Sequence, residues 1–173
     1  MTGKLIALFI ALLTFALASA NPPAPSEYEK ALTKALNLHD KASQGFYEGV
    51  EKATTEPGTD GDSAVAKLIP VYEAYRAATD ELVDAILDVV PPKELKKVHK
   101  ALLISKIRLA DGLEEQMAAF RSKDPDQMKS AEKHLNTMGV AAVNELRKQV
   151  EAAGYDFVRF AKDNVLVKKA GQG

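Results

Sequence analysis

The sequence predicts an all-α protein: an up-down-up-down four-helix bundle, with a short fifth helix near the C-terminus. Three observations carry this. Apolar residues return at three- and four-residue steps through four stretches of roughly 25–30 residues, the spacing of one buried helix face. Start and stop signals bracket those stretches. The links between them are short and hold the residues that oppose regular structure.

Before the first helix comes a different segment. Lys4 supplies a positive start, an apolar run follows from Leu5 to Ala18 broken only by Thr14, and the run ends in Ala18-Ser19-Ala20. Small residues in that pattern are what a signal peptidase cuts. The run falls short of the roughly 20 residues a spanning helix needs. Residues 1–20 therefore read as a secretory signal, and Asn21 as the mature N-terminus. Residues 21–25 form an extended Pro-rich stub, 26–167 the helical domain, and 168–173 a frayed tail.

The first helix opens at Ser26, which with Glu29 matches a capping box. Its stripe is Tyr28, Ala31, Leu32, Ala35, Leu38, Ala42, Phe46 and Val50, and it should end near Thr54. Residues 55–63 hold Pro57, Gly58 and Gly61 and read as a loop. The second helix runs from Asp62 or Ser63 to about Val90 on Val65, Leu68, Ile69, Tyr72, Tyr75, Leu82, Ile86 and Val89. Pro70 lies inside it, where it removes a hydrogen bond and crowds the preceding turn, so a kink or short break is expected at 67–70. Pro91-Pro92 ends that helix and starts the third. Leu95, Val98, Leu102, Leu109, Leu113, Met117 and Phe120 carry the third to about Ser122. Asp124-Pro125-Asp126-Gln127 opens the fourth, on Met128, Ala131, Leu135, Met138, Ala142, Leu146 and Val150, and Gly154 caps it. Phe157, Phe160, Ala161 and Val165 suggest the short fifth helix. Alternating direction would put the 55–63 loop with the 122–125 turn, and the 90–92 turn with Ser26 and Gly154.

Composition limits the chemistry. The chain has no cysteine, which excludes disulfides, thiol nucleophiles, Cys-ligated zinc, iron–sulfur clusters and covalent haem. It also has no Asn-x-Ser/Thr sequon, and the joint absence favours a bacterial envelope over a eukaryotic secretory route. Net charge is −1, without a long run of one sign, so charge-driven binding of nucleic acid or an anionic membrane is not expected. Around Pro91-Pro92-Lys93-Glu94-Leu95, Val98-His99 and Leu102, the chain resembles a loose class of exported bacterial helical-bundle proteins, many of them uncharacterised. The resemblance covers the third and fourth helices and implies a fold and a compartment, without an activity.

The three histidines, His39, His99 and His134, fall on the first, third and fourth helices. Facing histidines in a bundle could bind metal or haem, but hydrogen-bonded boundary histidines are the commoner case. No Glu-x-x-His pair is present, since Leu36, Lys96 and Ala131 stand three residues before them. Helix rise places His99 and His134 well over 10 Å apart. His99 should be at least half buried. Met117, Met128 and Met138 read as core filler before axial ligands. Asp60-Gly61-Asp62 opens like a calcium loop, but Ala64 and Val71 occupy later ligand positions. Lys93, Lys96, Lys97 and Lys100 form a basic face that could hold an anion, although acids share that end of the molecule. The expectation is thus an exported bundle with a binding or structural role toward an envelope or extracellular protein, no catalytic residues and no cofactor. A small-ligand, haem or metal-binding bundle is the alternative.

Overall fold

A computed structural model describes residues 26–56 and 61–169. The expected signal at 1–20, the stub at 21–25 and most of the 55–63 loop lie outside these. The described chain is all-helical: α1 (Glu27–Thr55), α2 (Gly61–Leu87), a 3₁₀ turn (Lys93–Leu95), α3 (Lys96–Ser122), α4 (Pro125–Ala152) and α5 (Phe157–Asp163). Backbones of successive long helices pack directly, α1 on α2, α2 on α3 and α3 on α4.

Local signals set most boundaries. The Ser26 hydroxyl accepts the Glu29 amide, and the Glu29 carboxylate accepts the Ser26 amide at 2.6 Å, which completes the capping box. Asp124 accepts the amides of Asp126 and Gln127 with Pro125 in the first turn of α4. After Ala152, Gly154 takes φ 84. Its amide donates to the Glu151 carbonyl, and that of Tyr155 donates to Val150. This pair of bonds satisfies carbonyls that a helix end otherwise leaves open. Gly112 serves a different need: a Cβ there would fall 2.4 Å from Leu135 Cδ1, so the missing side chain lets α3 and α4 approach closely.

The larger core cluster joins Leu32 and Leu36 of α1, Leu82 and Ile86 of α2, Val98 and Leu102 of α3, and Leu146 and Val150 of α4 to Tyr155, Phe157, Phe160 and Leu166. A smaller one joins Ala53, Leu68 and Phe120, with Val65, Tyr72 and Met128 against it. Aromatic contacts connect the two halves: Phe46 stacks on Tyr75 at 4.6 Å and meets Tyr72 edge-on, and Tyr72 meets Phe120 edge-on.

Several expectations need correction. The loop is shorter than 55–63, because α2 has already begun at Gly61. No break interrupts α2 at 67–70; Pro70 sits within a continuous helix. Pro70 and Ala66, whose carbonyl it leaves without an amide, are both exposed. Water can serve that carbonyl while Leu68, Tyr72 and Tyr75 hold the helix from the other side. Pro91-Pro92 does not start α3: Pro92 is extended at ψ 158 and leads into the 3₁₀ turn that buries Leu95. On α1, Leu38 is 59% exposed and Ala31 is exposed, while Leu36 and His39 take the buried positions. The tail is not frayed from 168: the Asp156 amide donates to Val167 at 2.8 Å and the Lys169 amide to Gly154 at 2.9 Å, around a Tyr155–Lys168 bridge. No helix of the described residues is long and apolar enough to cross a membrane.

Candidate functional site

The strongest concentration of reactive side chains is a buried polar cluster where α1, α2 and α3 meet. His39 lies eleven residues after Tyr28, three helical turns on, and so occupies the same inward face. It is 5% exposed. Its Nε2 lies 3.3 Å from the hydroxyl of Thr79, which is itself fully buried and donates to the Tyr75 carbonyl at 2.8 Å. Because that hydroxyl has spent its one proton, the ring must donate to it through Nε2–H, which leaves Nδ1 unprotonated in the neutral form. The ring also packs on Tyr75 at 5.2 Å, and the Tyr75 hydroxyl donates weakly to Ser43 at 3.4 Å.

Electrostatics hold His39 neutral. Burial, with the positive charge of Lys106 second, pushes its pKa down to about 3. Lys106 reaches in from α3, where burial lowers its own pKa and Asp40 opposes the shift. Burial pushes Tyr75 up to about 12. Asp40 ties the cluster to the C-terminal segment: its carboxylate accepts the Asn164 side-chain amide at 2.6 Å, which also reaches Asn37 at 2.9 Å. Thr33 donates to the Asn164 carbonyl at 2.7 Å. Asn164 can do this because it adopts a left-handed conformation, φ 55, as α5 ends.

This arrangement fixes register. A buried donor must be matched, so sliding α1 against α2 would strand the His39 Nε2–H, while Thr79 would keep its bond to the Tyr75 carbonyl of its own helix. It presents no activated nucleophile, since the Thr79 proton goes to a backbone carbonyl and the Tyr75 hydroxyl is held as the neutral phenol. Gln116, 5% exposed, keeps its side-chain carbonyl buried without a hydrogen-bond partner among the described residues.

The other sequence candidates are dispersed. His99 is mostly buried, as expected, and its Nδ1 lies 3.2 Å from the Tyr28 hydroxyl; burial lowers its pKa. His134 is exposed and paired with Glu115. Glu115 lies sixteen residues after His99 on the same helix, about 24 Å along the axis, so His99 and His134 are not brought together. No group of three His, Asp or Glu side chains that could hold a metal ion occurs among the described residues. Lys93, Lys96, Lys97 and Lys100 are all exposed, and no ion pair engages them among the described residues. Met117 is 3% exposed, and Met128 and Met138 are half-buried, as core side chains are.

Sequence reasoning missed Thr79 and Lys106. Thr79 was findable, four residues after Tyr75 on the stripe that continues to Leu82 and Ile86. An open apolar groove of about 460 Å³ also lies between α1 and α2, lined by Ala42, Gly45, Phe46, Pro70, Val71, Ala74 and Tyr75. No protein-family model, no curated protein and no solved structure matches the chain.

Proposed function

We propose that this chain is an exported bacterial helical-bundle protein, acting in the periplasm or outside the cell, with a non-enzymatic binding or structural role toward another protein. The observation that carries the reading is where the chain spends its chemistry. His39, Tyr75 and Thr79 are buried and bonded to one another, whereas large apolar side chains stand at the surface of the α2–α3 turn, Val90 at 86% exposure and Leu87 at 59%. Interior polar groups of this kind specify a fold; exposed apolar ones gathered at a turn are what a contact surface offers. Export rests on the Lys4, Leu5–Ala18 and Ala18-Ser19-Ala20 pattern. We propose also that the four long helices run up-down-up-down. Supporting this, Tyr28 at the start of α1 meets His99 near the start of α3, and Asp62 near the start of α2 meets Lys123 just past the end of α3.

The reading is tested by placing a photo-crosslinking residue at position 90, with position 129 as a control, in the full chain produced in a bacterial host. A discrete protein adduct from position 90 in the exported fraction, lost with Leu87→Asp, supports it. Equal labelling from both positions contradicts it.

The alternative, a small-ligand bundle, draws on the α1–α2 groove, whose volume is in the range of ligand pockets. A Cβ at Gly45 would meet nothing within 4 Å, so Gly45→Leu should fill the groove without unfolding the protein. Saturable binding of an apolar fluorophore that Gly45→Leu abolishes would favour this alternative.

A further inference from the structure

We propose that the outward face of α3 is a self-association surface, on which α3 of a second copy of this chain lies antiparallel. The face carries an ordered stripe. Lys96, Lys97 and Lys100 come first, then Ile104 and Ile107, then Asp111, Glu114 and Glu115. All eight are exposed, the two isoleucines at 37% and 40%.

Helix geometry makes the stripe self-complementary. Lys96 and Glu114 are eighteen residues apart, five full turns, and so share one side of the face; Lys97 and Glu115 share the other. Lys100 and Asp111, three turns apart, lie between them. Each acid–base pair is centred on the same point, between Ile104 and Ile107. A two-fold axis through that point sets Lys96 opposite Glu114, Lys97 opposite Glu115 and Lys100 opposite Asp111, each twice, around four isoleucines. This is the isologous contact that a symmetric dimer requires. Arg108 stands on the flank of the stripe, level with Leu103 of the second copy and not with a lysine.

Within one chain the pattern is unfavourable. Lysines at three- and four-residue spacing repel one another, as do the acids. The lysines also oppose the helix dipole, which favours acids near the N-terminus; α3 has no acid in its first turn. Among the described residues, Glu115 alone of the six charges meets another side chain at hydrogen-bonding distance, the His134 ring. A second copy satisfies both halves together. The contact, about 27 Å long on one helix per protomer, is narrow, so the dimer is weak and depends on salt.

Sedimentation equilibrium on the mature chain tests this with two charge-reversed variants. One carries Lys96→Glu, Lys97→Glu and Lys100→Glu; the other carries Asp111→Lys, Glu114→Lys and Glu115→Lys. The wild type should dimerise at low salt, with a dissociation constant raised at least about tenfold by half-molar salt. Each variant alone should be monomeric, and their equimolar mixture should form a heterodimer. The pair Lys100→Glu and Asp111→Lys, each a single exposed change, repeats the mixing test should a triple variant lose its helical circular dichroism. Wild type that stays monomeric at millimolar concentration and low salt overturns the proposal. So do variants that dimerise as the wild type does, or a mixture that yields no heterodimer.

Discussion

Replacing His39 with Gln should make the protein less sensitive to mild acid. The buried ring titrates at about 3, against 6.5 for an unconstrained imidazole. As pH falls below 6.5 the unfolded chain takes up a proton that the folded chain refuses. The neutral ring's stabilisation is therefore complete above pH 6.5 and is lost as pH falls toward 3. At pH 5 the loss is set by the interval from 6.5 down to 5 and hardly depends on the folded value, provided that value is below about 4. One pKa unit corresponds to about 1.4 kcal/mol, so His39 alone should remove about 2 kcal/mol between pH 7.5 and pH 5. Glutamine can still donate to Thr79 and does not titrate. Urea unfolding of both proteins at pH 7.5, 6 and 5 measures the difference, with contributions from the carboxylates and from His99 common to both. The wild type should lose about 2 kcal/mol more than His39→Gln over this range. Equal losses would refute the picture of His39 as a buried, neutral hydrogen-bond donor.

Other perturbations follow from the packing. Ile86 is 0% exposed and belongs to the larger core cluster, so Ile86→Ala should cost about 2–5 kcal/mol by chemical denaturation. Leu102→Asp, at 1% exposure, should abolish cooperative unfolding by burying an unpaired charge. By contrast Leu38→Lys, on the exposed side of α1, should change stability by less than about 0.5 kcal/mol; a cost near that of Ile86→Ala would show the α1 face to be wrongly placed.

What the sequence revealed depended on how local the physics was. The Ser26–Glu29 box and the Asp124 cap were legible because each is settled within four residues. The α1 face was read one residue astray. Leu38 was chosen for its chemistry, whereas the angle from Leu32 favours Leu36 and His39, and a buried histidine breaks an apolar pattern that it geometrically continues. Lys106 was hidden for the same reason, since a lysine on a core-facing turn reads as surface until Asp40 is known to face it. Pro70 misled because its cost depends on whether water reaches the Ala66 carbonyl, a tertiary fact. The Tyr155–Lys168 bridge and the Asn164 clasp on α1 join residues far apart in sequence, and no spacing rule encodes them. The separation of His99 from His134 was legible from helix rise, because Glu115, which His134 meets, stands sixteen residues along α3 from His99.

The central proposal is that this bundle works outside the cytoplasm, and the most direct test is the intact mass of the protein recovered from the exported fraction of a bacterial host. One species beginning at Asn21 is expected. A species that still carries Leu5 to Ala18, recovered with the membranes or the cytoplasm, would contradict it.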